Sequence, residues 1–322
     1  MVDERERAAA LEAVRAASVL CSSAQGRLVA GDTLTKGDAS PVTVADFAAQ
    51  AIVCATLTDR LGPIDLVGEE HSSDLAGNAA LREGVVDLVR AQRGEVSADA
   101  VLGWISVGHA DGTGLRHWTL DPIDGTKGFL RGDQYAIALA LIEQGEVVLG
   151  VLGCPNLPNP DGSRGAIFVA DGTSCEVWYP GADRPTPAVV AAPTSLSEAR
   201  VCESVESGHS NHDDSARIAE LLGIVAEPYR IDSQCKYAAV ARGDASIYLR
   251  LPTRADYREK IWDHAAGKYV VEQAGGRVTD VTGSPLDFSH GRRLERNLGV
   301  IATDGRFHDE VVAAVQSVLG RP

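Results

Sequence analysis

Two aspartates, three residues apart, form the part of this sequence whose residue types and spacing most directly indicate chemistry. Asp121 and Asp124 lie in WTLDPIDGTKGFLRG, which contains a short apolar approach and precedes the apolar run YAIALALI. The apolar residues predict a buried strand, and the glycines predict a tight turn at its end. Both carboxylates and the carbonyl oxygen of Ile123 can therefore point into one pocket, and hard oxygen ligands of this kind suit Mg²⁺.

The residues that follow the turn predict an anion-binding site beside the carboxylates. Gly125 and Thr126 are expected to open a helix or turn whose backbone N–H groups face the same pocket. Exposed N–H groups at such a position bind phosphate oxygens. Two metal ions that share a carboxylate can clamp a phosphoryl group during its transfer. The stretch therefore predicts metal-assisted phosphate chemistry.

Three further carboxylates lie at the ends of predicted elements. Asp46 lies at the start of a predicted helix, Glu69 follows the short predicted strand in IDLVGEE, and Asp263 lies in KIWDHAAG, where a helix begins. Each has a simpler explanation, because Asp46 can cap its helix, Glu69 can be solvated and Asp263 can face a helix dipole. Asp121 can likewise precede Pro122 in an ordinary turn. Taken together, the set favours one shared metal site.

Hydrophobic periodicity predicts the elements that must position these carboxylates. Apolar residues recur at helical spacing in residues 3–24 and 43–61, whereas YAIALALIEQGEVVLGVLGCP predicts two strands joined by a turn. We expect a helix and a surface insertion over residues 72–116, and a strand at AVVAAP. The Pro- and Gly-rich segment GADRPTP is the best candidate boundary. The sequence thus predicts a layered α/β protein with an N-terminal α+β half, 1–183, and a C-terminal α/β half, 184–322.

Composition argues against several classes of function. The chain has 322 residues, of which 44% are hydrophobic, and a formal net charge of −15. A general nucleic-acid-binding surface would need a basic face, and the longest apolar runs are far too short to span a bilayer. We therefore expect a small-molecule substrate, no nucleic-acid partner, no membrane association and a monomeric protein.

The cysteines indicate the compartment rather than the chemistry. All six are scattered along the chain without a Cys-x-x-Cys pair, so a structural zinc site is not expected. In a chain of this length they indicate reduced thiols inside the cell, and we expect a cytoplasmic location. A targeting segment removed before the first residue would leave an organellar location open.

Other hydrolytic chemistries find less support. Asp121 as a covalent phosphoryl acceptor is an alternative, but the aspartates of that class are usually separated by one residue and followed by Thr or Val. Here two residues separate the aspartates and glycine follows. No Gly-x-x-x-x-Gly-Lys-Ser/Thr motif supports a P-loop nucleotidase. No Gly-x-Ser-x-Gly elbow is present, although residue types alone leave a Ser-His-Asp hydrolase open.

Several of these motifs resemble a known group of phosphatases. VGEE, DPIDGT and WDHAAG, in that order, resemble the inositol monophosphatase superfamily of lithium-sensitive, Mg²⁺-dependent enzymes. The longer strings DPIDGTKGFLRG, VESGHSNH, IDSQCKYAAVARGD, IYLRLP and YREKIWDHAAG are similar to the 3′(2′),5′-bisphosphate nucleotidase family, and the resemblance covers nearly the whole chain. It implies an α-β-α-β-α sandwich.

The resemblance also implies an activity. The expected reaction is hydrolysis of the 3′-phosphate of 3′-phosphoadenosine 5′-phosphate to AMP and phosphate, a step connected with sulfur assimilation. The phosphosulfate analogue and inositol 1,4-bisphosphate are further candidate substrates. The cofactor would be two to three Mg²⁺ ions.

The roles implied by the resemblance can be placed on individual residues. One ion would be held by Glu69, Asp121 and the Ile123 carbonyl, and a second by Asp121, Asp124 and Asp263. A third, weaker ion would rest largely on Glu69. The catalytic pair, Thr126 and Asp46, would orient and deprotonate the attacking water.

Four residues match the nucleotide-binding positions of that family: His209, Ser233, Lys236 and Arg250. Three of them have ordinary alternatives. His209 can be a surface loop histidine, and His212 lies three residues away. Lys236 can be a solvated helix residue, and Arg250 can point outward from the end of an apolar strand.

Two alternative functions follow from the same residues. An inositol phosphatase acting on a mono- or bisphosphate would have the same metal site, and only residues after Cys202 discriminate between the two substrates. A catalytically weak nucleotide or redox sensor is the other alternative. It would not need Asp46 and Thr126 together with the full carboxylate set, so the intact set favours an enzyme.

Overall fold

The computed structural model describes residues 2–29, 44–75, 77–205, 212–252, 254 and 256–320. The polar segment GDTLTKGDASP and the predicted nucleotide-binding residue His209 lie outside these ranges.

A seven-stranded sheet carries the motif with the paired aspartates. Its strands follow one another in chain order. They are β1 (Leu66–Gly68), β2 (Arg116–Asp124), β3 (Ala136–Glu143), β4 (Glu146–Pro158), β5 (Arg164–Ala170), β6 (Cys175–Trp178) and β7 (Thr186–Pro187). Only β1 and β2 are parallel, and the rest form an antiparallel meander. The turn predicted at EQGE joins β3 to β4, with Gln144 and Gly145 at positive φ.

In the described part of the chain, four α-helices precede β2. They are α1 (Glu4–Val29), α2 (Val44–Leu61), α3 (Ala79–Arg93) and α4 (Ala98–Ser106). The first two pack on the sheet, and α3 and α4 pack against α2. The prediction of one helix and a surface insertion over residues 72–116 is wrong, because two helices form there. Val85, Val89, Val101 and Ile105 recur at helical spacing and are fully buried, which makes both helices part of the core.

A second sheet has five strands in the order β11-β12-β10-β8-β9. They are β8 (Val201–Glu203), β9 (Tyr229–Arg230), β10 (Ile247–Arg250), β11 (Arg277–Thr279) and β12 (Val300–Thr303). The strand predicted at AVVAAP is not among them. Ala188 and Val190 make single backbone bonds there, to Cys175 and Ala274, so the segment has no ladder partner.

The remaining helices complete five layers. They are α5 (Thr126–Arg131), α6 (His212–Leu221), α7 (Cys235–Ala241), α8 (Ala265–Gln273) and α9 (His308–Val318). Helices α7 and α8 contact both sheets, whereas α6 and α9 pack against each other and α9 contacts the outer face of the second sheet. The order is thus α1/α2, first sheet, α7/α8, second sheet, α6/α9, which confirms the predicted α-β-α-β-α sandwich.

The division into two halves stays a prediction. Strand β7 lies just beyond residue 183 and still pairs with β6 of the first sheet. The core between the sheets contains residues from both predicted halves, such as Ile142 and Tyr237. Within the described ranges, no helix is both long enough and apolar enough to cross a membrane.

Candidate active site

The ends of two parallel strands bring the first carboxylates together. Gly68 at the end of β1 is in register with Leu120 of β2, so Glu69 and Asp121 are next along their strands. Their carboxyl groups are close enough for each to shift the pKa of the other. The β2–β3 register shifts between Asp121 and Asp124, and this irregularity ends the strand at the second aspartate. Asp121 and Asp124 therefore lie close together at the end of β2, and the charge of Asp124 raises the pKa of Asp121.

Two more acids approach from helices. Asp46 is buried in the first turn of α2, and Asp263 lies two residues before α8. The charges of both raise the pKa of Asp121, which places them in the same cluster. The carboxylate cluster, as we call it below, consists of Asp46, Glu69, Asp121, Asp124 and Asp263.

Electrostatic strain is the main property of the carboxylate cluster. Burial raises the pKa of Asp121, and the charges of Glu69, Asp124, Asp263 and Asp46 raise it further. Burial also raises the pKa of Asp263, to about 7, against the opposing effect of His264. The pKa of Glu69 is raised to about 7, because the site desolvates its carboxyl group and the charge of Asp46 acts in the same direction, although the residue keeps exposed surface. The cluster therefore favours positive charge, as protons or as cations.

One atom shows that the carboxylate cluster fits a divalent cation. Asp121 Oδ1 is buried and has no hydrogen-bond partner among the described residues. A buried carboxylate oxygen without a partner is rare, and a metal ion would supply what is missing. The neighbouring Ile123 residue is also buried, and its carbonyl accepts a long 3.4 Å hydrogen bond from Thr126 Oγ1. The oxygen-only donor set matches Mg²⁺ better than softer metals.

The turn after β2 packs directly on the second half of the chain. Gly125 has φ +87°, and a Cβ there would lie 2.8 Å from the Cβ of Ser233. Ser233 itself has φ +65°, which is uncommon for a non-glycine residue and often marks a functional position. Asp124 accepts a hydrogen bond from Gln234 N, so the same contact also orients a member of the carboxylate cluster. Helix α5 begins at Thr126, as predicted.

A cavity of about 380 Å³ adjoins the carboxylate cluster, and Asp124 and Asp263 belong to its lining. Its lining joins Asp124, Gly125 and Thr126 from one side with Ser233, Lys236 and Arg250 from the other; the remaining members are Lys127, Gly128, Ser204, Asp232, Gln234, Tyr248, Asp263 and His264. The structure therefore brings all the described sequence-predicted substrate residues to one cavity. The roles of these residues stay predictions.

Lys236 is not a solvated helix residue. It is 4% exposed, and its ammonium lies 5.3 Å from the centre of the Tyr248 ring. Burial lowers its pKa, while the charge of Asp124 acts in the opposite direction. A lysine buried at a cavity wall with an aromatic neighbour is placed to meet an anionic ligand.

Arg250 is paired rather than free. Its Nε and Nη2 donate to the buried Glu259 carboxylate at 3.3 and 3.4 Å. Glu259 also contacts His264 Nε2 at 3.2 Å, and His264 Nδ1 lies 2.7 Å from the Tyr237 hydroxyl. Burial would raise the pKa of Glu259, but His264 and Arg250 lower it to about 2. Glu259 therefore holds the guanidinium of Arg250 in place at the cavity wall.

Sequence reasoning missed this network. Glu259 and His264 lie in YREKIWDHAAG, a segment in which only Asp263 has a role predicted from the sequence. Glu259, Asp263 and His264 place ligand atoms within 4.8 Å of one another, but both His264 nitrogens already have side-chain partners. Their close spacing around a predicted metal ligand was the only indication in the sequence.

Comparison with known proteins shows the family to which the chain belongs. The chain matches the Inositol monophosphatase family over residues 2–319, and it belongs to that family. Solved structures with the same fold include the inositol monophosphatase of Anabaena, at 20% identity and a TM-score of 0.61 over 96% of this chain and 94% of that one. CysQ of Bacteroides thetaiotaomicron, a bacterial member of the family, has 21% identity and a TM-score of 0.60 over 92% and 96%.

More similar relatives share one name. The 3′(2′),5′-bisphosphate nucleotidase of Emericella nidulans is 42% identical over 98% of this chain and 99% of its own length. The enzyme of that name from Oryza sativa is 44% identical, over 98% and 94%, and that from Schizosaccharomyces pombe is 42% identical, over 99% and 97%. The resemblance that the sequence motifs carry is thereby confirmed.

Proposed function

We propose that this chain is a Mg²⁺-dependent 3′(2′),5′-bisphosphate nucleotidase that hydrolyses 3′-phosphoadenosine 5′-phosphate to AMP and phosphate. One observation carries the proposal: a single cavity is lined by Asp124 and Asp263 of the carboxylate cluster and also by two cations, the buried Lys236 and the partly buried Arg250. A bisphosphate needs two such zones, one for the scissile phosphate and one for the other phosphate. The names of the relatives at 42% and 44% identity support the same substrate.

The metal ligands in this proposal are Glu69, Asp121, Asp124, Asp263 and the Ile123 carbonyl. Two to three Mg²⁺ ions, when bound, would supply positive charge to the scissile phosphate, which is the main requirement of phosphoryl transfer. The orphaned Asp121 Oδ1 and the raised pKa values of Asp121 and Asp263 support a cation at this place.

The chain's own groups orient the water and the substrate. Thr126 Oγ1 positions the attacking water, and the Asp46 carboxylate receives its proton. The N–H groups of Gly125 and Thr126 bind oxygens of the scissile phosphate. Lys236 and Arg250 bind the second phosphate, with Arg250 held in orientation by Glu259. Ser233 and His209 contact the nucleotide.

The remaining expectations belong to the same proposal. The N-terminal half, 1–183, supplies most metal ligands, whereas the C-terminal half, 184–322, supplies Asp263 and the nucleotide-binding residues. The net charge of −15 supports a small-molecule substrate rather than nucleic acid. We also propose a monomer in the cytoplasm that does not associate with membranes.

Phosphate release from a panel of substrates tests the proposal. The panel contains 3′-phosphoadenosine 5′-phosphate, its phosphosulfate analogue, inositol 1,4-bisphosphate and inositol monophosphate, each with Mg²⁺ and with or without lithium. The adenosine bisphosphate should have the highest kcat/KM, and lithium should inhibit its hydrolysis. Preference for inositol monophosphate would favour the inositol phosphatase instead. Binding of the nucleotide without phosphate release would favour the sensor.

A further inference from the structure

Glu69 differs from the other proposed metal ligands in how it is held. Its side chain is exposed and follows a strand of only three residues, whereas Asp121 is buried within the longer strand β2. Packing restrains an exposed side chain on a short strand less than it restrains a buried one. The position of Glu69 therefore depends more on what holds the backbone on either side.

Gln50 holds the backbone after Glu69. This side chain is fully buried on α2, and its Nε2 donates to Glu70 O at 2.7 Å and to Ile105 O at 3.1 Å. Its Oε1 accepts from Glu70 N at 3.1 Å, so one amide satisfies both backbone groups of the next residue. Gln50 lies four residues after Asp46 and therefore on the same helix face.

Two glycines leave room for that amide. A Cβ at Gly68 or at Gly108 would lie 2.5 Å from an atom of the Gln50 side-chain amide. Both positions have ordinary backbone angles, so the close approach of Gln50 explains the glycines better than backbone conformation does. The backbone on either side of Glu69 therefore packs against the Gln50 amide.

Arg292 holds the backbone before Glu69. Its Nη2 donates to Gly68 O at 2.6 Å, and its Nη1 donates to Ala110 O at 3.0 Å. The guanidinium lies 4.8 Å from the centre of the Trp262 ring. Gly68 immediately precedes Glu69, and Trp262 immediately precedes Asp263. One side chain therefore contacts the neighbours of two proposed metal ligands that come from opposite ends of the sequence.

We propose that Gln50 and Arg292 are positioning residues of the metal centre, which fix Glu69 from both sides and, through Trp262, relate it to Asp263. The proposal rests on the proposed function, because it assigns these residues to the same Mg²⁺ site. Groups that orient a ligand without touching the ion commonly control metal affinity. Neither residue belongs to the sequence-predicted site.

The direction in which Arg292→Ala changes the Kd for Mg²⁺ distinguishes a positioning role from an effect of charge. Arg292 is a cation beside Glu69, so removal of its charge alone should strengthen binding of a divalent cation. Loss of its hydrogen bonds should instead weaken binding. Arg292→Ala should raise the Kd for Mg²⁺, measured by titration calorimetry on the folded protein, by about 10- to 100-fold. Arg292→Lys keeps the charge but cannot reach both carbonyls, and we expect a smaller increase.

The neighbouring Arg293 provides a matched control. It is exposed on the same loop, and Arg293→Ala should leave the Kd for Mg²⁺ within about twofold of the wild-type value. Glu69→Gln should itself weaken binding. Adding Arg292→Ala to that variant should have little further effect, because the residue to be positioned has lost its charge.

The outcomes distinguish the inference from the proposed function. An unchanged or lower Kd in Arg292→Ala, even with a lower Tm, would overturn the inference, and so would full additivity with Glu69→Gln. If Arg292→Ala does not fold, an unchanged Kd in Arg292→Lys overturns it equally. Wild-type protein that neither binds Mg²⁺ nor releases phosphate would overturn the proposed function itself. With Arg292→Ala, saturating Mg²⁺ should largely restore kcat and leave the nucleotide KM unchanged.

Discussion

At the scale of single residues, Asp121 concentrates the electrostatic strain of the site. Burial and four neighbouring carboxylates raise its pKa, and one of its oxygens has no partner in the described part of the chain. Asp121→Asn removes a charge while keeping the shape of the side chain. We expect this variant to lose Mg²⁺-dependent turnover and to gain thermal stability in the presence of a chelator, as repulsion is relieved.

The sign of the pH dependence follows from the raised pKa values. A carboxyl group whose pKa is raised by folding stabilises the folded state at low pH, and this contribution is lost as the pH rises through the folded value. For Asp263 that value is about 7. The gain in Tm of Asp121→Asn over the wild type should therefore be larger at about pH 8 than at about pH 5. An equal gain at both, or normal turnover, would contradict the assignment.

Thr126 and Asp46 are predicted to act on the same water. Thr126→Ala and Asp46→Asn should each lower kcat strongly with little change in Mg²⁺ affinity, and the double variant should lose far less than the product of both effects. Thr126→Ser keeps the hydroxyl and serves as the control with near-normal kcat. Steady-state rates at saturating Mg²⁺ give the comparison. Multiplicative losses would show that the two residues do not share a step.

Arg250 decides between a bisphosphate and a monophosphate substrate. A charge-assisted contact contributes roughly 1.5–3 kcal/mol, or about ten- to a hundredfold in kcat/KM. Arg250→Ala should lower the hydrolysis of 3′-phosphoadenosine 5′-phosphate by that factor and barely affect 3′-AMP, which has only the scissile phosphate. Arg242 is a buried arginine paired with Asp244 outside the cavity lining, so Arg242→Ala is a control for loss of a buried ion pair. Equal losses on both substrates in Arg250→Ala would favour the inositol phosphatase.

The sequence predicts most directly those site residues whose spacing is local, and their roles stay predictions. Asp121, Asp124 and Thr126 lie within one turn, and their types alone indicate a metal site. Gln50, Glu259 and Arg292 were not predictable in the same way. Gln50 and Arg292 act through backbone carbonyls far along the chain, and Glu259 acts through Arg250 and His264. Such partners follow from tertiary packing, which no short motif encodes.

At the scale of elements, the turn that joins β2 to α5 packs closely against Ser233, so a change in this packing should alter the site. Gly125→Ala would combine a left-handed backbone, at about 1–2 kcal/mol, with an overlap against Ser233. Gly162 has nearly the same φ but open space around it, so Gly162→Ala has the strain without the overlap. We expect both variants to lose stability and only Gly125→Ala to lose activity. Measurement of Tm and kcat/KM for the pair checks this, and equal activity in both would remove the turn from the site.

Elements with local partners were predictable, and elements defined by distant partners were not. The β3–β4 hairpin follows from its apolar strands and turn residues. AVVAAP has the composition of a strand, but its neighbours in the fold offer it only isolated bonds. Residues 72–116 looked polar as a whole, yet each of α3 and α4 has one buried apolar stripe. In both segments, tertiary contacts determined the secondary structure more strongly than strand propensity or average polarity did.

At the scale of the whole molecule, the five layers place the site between two sheets. Helix α7 is buried at every position, so it lacks the exposed polar face of a surface helix, and α8 is buried at six of its nine positions. The carboxylate cluster draws on α2, β1, β2 and the residues before α8, which come from both predicted halves. Ligands contributed by both halves should couple the stability of one half to that of the other.

Magnesium should therefore stabilise the entire fold in one transition. A ligand that binds only the folded state at about 100 times its Kd contributes about 2.7 kcal/mol, which for a chain of this size raises Tm by about 4 °C. Differential scanning calorimetry with Mg²⁺ and with a chelator measures the shift, and Asp263→Asn, which removes the proposed ligand of the predicted C-terminal half, should reduce it. Two separate transitions, of which only one responds to Mg²⁺, would mean that the halves unfold independently and that one of them holds the ions alone.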